Sequence, residues 1–257
     1  MPDYTTASLD FCHCLQDLVL ETRPQRVLET GTFVGAGTTF AIAQGFAHNS
    51  DNGYAHLWAI EAHPDNAQTT RAFLRCRKLD GDVTVMEGFS VPKRMIPGKR
   101  KIKQILKERP KWARIDNREE LAADGYYREL HFQEELKERV DYDGEPLKYC
   151  LISECRKLAE QPFELIVLDS CGVTGWAEFQ YLMETGILWE ARNLAIDDLF
   201  HVKHWKTFEY IKERIGDDFD FKELCPPKYV PSKSHQVHSG FCIVDINWKK
   251  NIGRKGS

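Results

Sequence analysis

The chain lacks several features, and each absence removes a class of function. No stretch approaches the roughly 20 consecutive apolar residues that a bilayer-spanning helix needs, so no membrane association is expected. Met1-Pro2-Asp3-Tyr4 does not open the basic-then-apolar pattern of a secretory leader. A net charge of −4 over 257 residues gives no general pull toward nucleic acid or anionic lipid. The eight cysteines form no disulfide or zinc framework. Cys12, Cys14, Cys76, Cys150, Cys155, Cys171, Cys225 and Cys242 lie mostly in apolar runs, as buried thiols do, and Cys12-His13-Cys14 has no second close pair to complete a metal site. Reduced thiols and a cytoplasmic location follow as expectations. The one glycine-rich stretch, Val27 to Thr38, places its glycines at Gly31, Gly35 and Gly37. That is not the G-x-G-x-x-G dinucleotide spacing, and no lysine precedes Thr38-Thr39 as a P-loop requires, so a dehydrogenase and an NTPase are both disfavoured.

What is present is an alternation of short apolar runs with helical stretches. Ala7 to Thr22 carries Leu9, Phe11, Cys12, Leu15, Leu18, Val19 and Leu20 at helical spacing. Strands are expected at Arg26 to Glu29, His56 to Glu61, Val83 to Glu87, Leu165 to Asp169, Leu194 to Asp197 and Phe241 to Ile246, with helices near Thr38 to Gly45 and Pro64 to Arg77. Continuous apolar strands alternating with helices predict an α/β fold with a doubly wound, mostly parallel sheet covered on both faces, in a single domain spanning 1–257.

One segment interrupts this pattern. From about Pro92 to Pro146 apolar residues are few, and charge divides sharply. Lys93 to Arg114 is basic and Asp116 to Glu145 mostly acidic. It is too long for an ordinary connection and reads as a helical insertion, a lid or an oligomer contact that would make the chain a homo-oligomer. The competing reading is a solvated helical hairpin whose halves attract each other. The basic half could meet a phosphate-bearing substrate, but without interleaved aromatics it does not read as a nucleic-acid surface.

Glycine after a strand lets backbone approach a ligand closely. Glu29, Gly31 and Gly35 form E-x-G-x-x-x-G at the end of the first strand, which resembles motif I of class I S-adenosylmethionine-dependent methyltransferases. That resemblance implies a seven-stranded Rossmann-like methyltransferase sheet with a late antiparallel strand near Phe241. It further implies a carboxylate, Glu29, for the cofactor's ammonium. Glu61 ends the second strand where the ribose hydroxyls would lie, and the Glu87-Gly88-Phe89-Ser90 turn follows the third strand beside the adenine. The candidate cofactor residues are Glu29, Gly31, Phe33, Gly35, Thr38, Glu61, Gly88, Ser90 and Asp169.

The fourth and fifth strands also end in carboxylates, Asp169 and then Asp197-Asp198. C-terminal strand ends line the ligand crevice of such sheets. Three carboxylates there repel one another unless a cation compensates. Oxygen ligands suit a divalent ion such as Mg²⁺, which would acidify and orient an acceptor hydroxyl. The competing reading leaves Asp169 to contact the cofactor or cap a helix, and Asp197-Asp198 to start a loop. One aspartate and then an Asp-Asp pair resemble the metal-dependent O-methyltransferases, the macrocin and sugar branch more than the catechol branch. The resemblance implies methyl transfer to a hydroxyl of a small-molecule acceptor, a sugar or glycosylated natural product, with Asp169 or His201 taking the proton. His204 lies at i+3 from His201; His235 and His238 precede the last strand, and Trp176 follows Asp169 as a cleft-wall residue. Two alternatives stay open: a metal-independent methyltransferase acting on nitrogen or on a phosphorylated or polysaccharide acceptor, and a non-catalytic partner-binding relative.

Overall fold

The computed structural model describes residues 9–49, 54–113, 144–170, 174–227 and 240–247. Strands are β1 (Arg26–Thr30), β2 (His56–Glu61), β3 (Val83–Glu87), β4 (Leu165–Leu168), β5 (Asn193–Ile196), β6 (Phe219–Cys225) and β7 (Phe241–Ile246). The described helices are α1 (Leu9–Thr22), α2 (Thr38–His48), α3 (Pro64–Arg77), α4 (Lys99–Glu108), α5 (Leu151–Leu158), α6 (Thr174–Glu184) and α7 (Trp205–Lys212). None of them is long and apolar enough to cross a membrane.

The sheet order is β3-β2-β1-β4-β5-β7-β6, parallel except for β7 against β5 and β6. Alternation along each strand explains why both faces are apolar. Val27, Leu57, Ala59, Leu165, Val167 and Ala195 pack on one face with Phe11, Leu15 and Val19 of α1 and Ile42 and Phe46 of α2. Leu28, Trp58, Ile60, Ile166, Leu168, Leu194 and Ile196 pack on the other with Leu151 and Ile152 of α5 and Phe179 and Leu182 of α6. Strands buried on both faces read as continuous apolar runs, and this is why they were visible in the sequence.

The departures from expectation are local. β4 and β5 stop one residue short of Asp169 and Asp197, so both carboxylates step off the sheet into the connections. The strand β6 was not anticipated, because Asp220, Lys222 and Glu223 interrupt it with charge; it is the sheet's edge, where such residues discourage pairing with another chain. His201 and His204 do not share a helix face. They lie in the turn ahead of α7, which begins at Trp205. In the charged insertion, α4 is amphipathic, and Ile102 and Ile105 bury against Val202 and Trp205, so this part is anchored to the body. Residues 114–143, with most of the acidic half, lie outside the described residues, as do Cys171, His235 and His238.

The close approach of α1 and α2 is set by Gly45 of α2. A Cβ there would sit 2.5 Å from Cγ1 and 2.9 Å from Cβ of Val19 on α1. Gly45→Ala is therefore expected to lower stability by about 1 kcal/mol, overpacking of about 1–3 kcal/mol outweighing the roughly 1 kcal/mol of helix propensity gained. Gly81, with nothing within 4 Å of where a Cβ would stand and no left-handed φ, should accept Ala at no cost. Urea denaturation of both variants checks the pair; equal midpoints would refute the packing argument.

Candidate active site

The chain reverses its winding between β1 and β4, and a crevice opens at the carboxyl ends of strands at such a point. Gly31 stands there with φ +82, and a Cβ on it would lie 2.5 Å from the carbonyl oxygen of Asp169. Backbone meets backbone, so no side chain fits. The loop is fixed further by Gly31 N–H donating to the Ile60 carbonyl at 2.8 Å and by Asp169 N–H donating to the Thr30 carbonyl at 2.9 Å. Gly35, also left-handed, is faced by the Thr70 side chain of α3, whose Cγ2 would lie 2.7 Å from a Cβ there. Phe33, at the loop's tip, is exposed despite its size and has a φ of 49.

Glu29 projects to the α1/α2 side of the sheet and is completely buried. Its Oε2 accepts a hydrogen bond from Thr39 Oγ1 at 2.8 Å, while Oε1 is sealed from solvent with no partner. Burial pushes its carboxyl up to about 8, against the hydrogen bonds of α2 threonines. A buried acceptor without a donor is costly.

Glu61, expected beside the ribose hydroxyls, is held by backbone donors. Its Oε2 accepts from the N–H groups of Thr32 and Phe33 at 3.1 and 2.8 Å, and its Oε1 from His63 N–H at 2.8 Å. It therefore ties the glycine loop to the end of β2. Burial raises its pKa, and these backbone hydrogen bonds oppose that. Gly88 and Ser90 likewise have structural partners. The bare Cα of Gly88 is faced by the Lys148 carbonyl, 2.5 Å from where a Cβ would be, and Phe89 stacks on Tyr149 at 4.8 Å.

Ser90 donates to Glu178, a residue sequence reasoning missed. Glu178 of α6 is buried and also accepts from Thr30 Oγ1 at 3.0 Å and Ser170 Oγ at 2.6 Å. One carboxylate thus joins the ends of β1 and β4 to the turn after β3. Burial raises its pKa, while the three hydroxyls stabilise its ionised form. The sequence signal was faint: Glu178 lies between Gly175 and Leu182 on the apolar face of its helix.

Asp169, Asp197 and Asp198 do converge, each offering an oxygen within 4.8 Å of the others. Asp198 adopts a left-handed φ of 50, and its N–H donates to Asp197 Oδ1 at 2.8 Å, a sharp turn that brings adjacent carboxylates together. Thr38 Oγ1 donates to Asp169 Oδ2 at 3.4 Å. A cation that pairs with two of them, also missed, is Lys203. Its Nζ lies 2.7 Å from Asp198 Oδ2 and 3.5 Å from Asp169 Oδ1, and the residue is 5% exposed. Asp169 is pushed up to about 7 by burial foremost, with Lys203 pulling it down and Asp198 up. Asp197 is raised well above the usual range by burial and then by Asp198 and Asp169. Burial would lower the pKa of Lys203, yet Asp198, Asp169 and Asp197 together hold its proton firmly. The sequence clue was a lysine inside the otherwise buried run from Leu199 to Trp205.

His201 is buried beside this cluster, and its Nδ1 accepts the Lys203 N–H at 3.3 Å. That bond favours the tautomer with the proton on Nε2 and occupies the nitrogen that would receive a proton. Burial lowers the pKa of His204 well below the ordinary range, and it fills the space beside Gly175, where a Cβ would sit 2.3 Å from its ring. Trp176 packs on Phe179 and Tyr210. Seven cysteines, including Cys12 and Cys14, are free thiols, and the carboxylate trio is the metal-ligand grouping found among the described residues.

No protein-family model matches the chain, and no curated protein does. Solved structures do. An O-methyltransferase from Bacillus cereus in complex with SAH is similar at 14% identity and a TM-score of 0.53, over 96% of this chain and 84% of that one. The O-methyltransferase TomG from Streptomyces achromogenes, involved in tomaymycin synthesis and in complex with SAM, is similar at 13% identity and a TM-score of 0.51, over 96% and 83%. Cofactor-bound Rv0187 from MTB is similar at 15% identity and a TM-score of 0.53, again over 96% and 83%. At this identity the likeness establishes the fold: a seven-stranded Rossmann-like methyltransferase sheet.

Glu178 supplies a test of how the strand ends are held. Glu178→Ala leaves three buried hydroxyls without their acceptor and opens a void, with an expected loss of at least about 3 kcal/mol. Glu178→Gln keeps a carbonyl acceptor and should cost clearly less. Chemical denaturation reads both, and equal losses would show that the side chain's volume, not its hydrogen bonding, matters.

Proposed function

We propose that the chain is an S-adenosylmethionine-dependent methyltransferase acting on a hydroxyl of a small molecule, a sugar or glycosylated natural product, in the cytoplasm. The observation that carries this reading is the unpartnered Glu29 Oε1 beneath the glycine loop at the switch point. A buried carboxylate suits the ammonium of an amino-acid group, and the ligand has no phosphate for a P-loop or dinucleotide loop to hold. The similar folds whose structures contain SAH or SAM support the same cofactor.

The cofactor supplies an electrophilic methyl on a sulfonium. Bound there, it would make a methyl group available to an acceptor hydroxyl, whose proton a residue of this chain would take. Asp169 is the better candidate base. It stands at the crevice with its pKa pushed up to about 7, a value suited to proton transfer near neutrality. His201 is the weaker candidate, because its Nδ1 already accepts the Lys203 N–H. Gly31, Phe33, Gly35 and Thr38 would shape the cofactor's bed; Glu61, Gly88 and Ser90 act through the loop and turn they hold.

The divalent ion expected from the sequence is a separate matter. The oxygens of Asp169, Asp197 and Asp198 are close enough to share one. Lys203, already paired with two of these carboxylates, argues against it. The donor set as arranged fits an ammonium rather than Mg²⁺, and the metal-independent reading is favoured on that observation.

Binding of S-adenosylhomocysteine, followed by calorimetry, tests the cofactor. A bound ammonium stabilises the Glu29 carboxylate, whose empty-state pKa is about 8. Below that pH, binding must expel a proton, so affinity should fall as pH is lowered beneath about 8 and level off above it. Glu29→Gln should bind at least ~10-fold more weakly at the plateau, in line with a lost charge-assisted hydrogen bond, and lose this slope. Failure to bind at millimolar ligand, or an unchanged slope in the variant, would remove the reading. Methyl-release assays against panels of sugars and phenols then identify the acceptor.

A further inference from the structure

We propose that the Lys203 ammonium is the resident cation of the carboxylate trio, taking the place of a divalent metal and leaving the site closed to one. The proposal rests on the methyl-transfer reading only for its catalytic consequence; the exclusion of metal stands on geometry alone.

Lys203 is held at every level. Its ammonium pairs with Asp198 at 2.7 Å and with Asp169 at 3.5 Å. Its carbonyl accepts the N–H of Trp176 at 3.1 Å, and its own N–H donates to His201 Nδ1 at 3.3 Å. The residues on either side, Val202 and His204, are buried, and Val202 and Trp205 pack under Ile102 and Ile105 of α4. A lysine so enclosed cannot swing out to solvent without unpacking the segment that carries it. A divalent ion on the same oxygens would face this ammonium at close range, and the two cations would repel each other.

The electrostatic task is the same for either cation. Three carboxylates in a buried cluster need positive charge to remain together. Mg²⁺ would supply two charges and demand octahedral oxygen ligands at about 2.0–2.1 Å. Lys203 supplies one charge through directional N–H bonds to Asp198 and Asp169. It thus acts as a positioning residue, holding Asp169 and Asp198 at the crevice. A lysine delivered from the connection after β5 is as permanent as the fold and needs no metal supply.

Manganese binding followed by electron paramagnetic resonance tests this without any knowledge of the acceptor. The wild-type protein is expected to bind no Mn²⁺ at millimolar concentration, with or without S-adenosylhomocysteine. Lys203→Met, which removes the charge and keeps the length, should bind one Mn²⁺ at least ~100-fold more tightly than wild type, the cost of an unpaired buried charge cluster being relieved by the ion. Lys203→Arg, retaining a cation, should bind none. One tightly bound Mn²⁺ in the wild type, lost in Asp197→Asn, would overturn the proposal, as would a folded Lys203→Met that gains no metal. The wild-type titration decides even if that variant does not fold. Once an acceptor is found, full turnover after exhaustive chelation is the expected result, and loss of turnover restored by Mg²⁺ counts against it. Absence of cofactor binding in calorimetry would end the methyl-transfer reading while leaving the manganese result intact.

Discussion

Charge compensation at the ends of β4 and β5 is the constraint to which much of this structure answers. Asp169, Asp197 and Asp198 are brought within 4.8 Å of one another by parallel pairing and a left-handed turn. Such a cluster could not persist in a buried setting as three bare anions. Lys203 offsets part of that charge, and the rest of its segment is arranged to keep it there. Trp176 holds its carbonyl, His201 its amide, and α4 presses on the residues beside it. The start of the charged insertion is in this sense a brace for the candidate active site. Its Lys206–Glu108 ion pair is partly exposed and adds little by comparison.

A second carboxylate organises the opposite side of the same strand ends. Alternation along β1 sends Glu29 toward α2 and Thr30 toward α6, where Glu178 gathers Thr30, Ser90 and Ser170. The crevice therefore has a buried carboxylate on each face of the sheet. Glu178 is satisfied by three hydroxyls and serves the scaffold. Glu29 is left with one oxygen unpaired, which is where the proposed cofactor's ammonium would bind. The two carboxylates differ in how their oxygens are satisfied.

Much of the fold was legible because strands buried on both faces leave uninterrupted apolar runs, as at Leu57–Ile60 and Leu165–Leu168. The edge strand β6 was not, since its exposed residues are charged. The glycine loop was legible in spacing and carboxylate, and Gly31 proves necessary for a reason the motif does not state, the Asp169 carbonyl against its missing side chain. Glu61 and Ser90 were noticed at the correct strand ends, yet their hydrogen-bond partners come from the loop after β1 and from α6, far away in sequence. Lys203 and Glu178 were overlooked because a lone lysine or glutamate in an apolar stretch has no spacing rule to betray it.

By itself, the sequence determined the parallel strands β1 to β5 and the row of acidic residues at their carboxyl ends. These follow from local periodicity and from the chain leaving each strand at the same edge. Only the tertiary structure decided which cation answers those acids. Pairing between Asp169 and Lys203 spans 34 residues, Asp198 joins the same ammonium, and the strength of both contacts depends on burial that no local pattern encodes. The sequence posed a charge imbalance that a metal or a side chain could have met. Packing of the segment after β5 beneath α4 brings one such side chain, Lys203, to those acids.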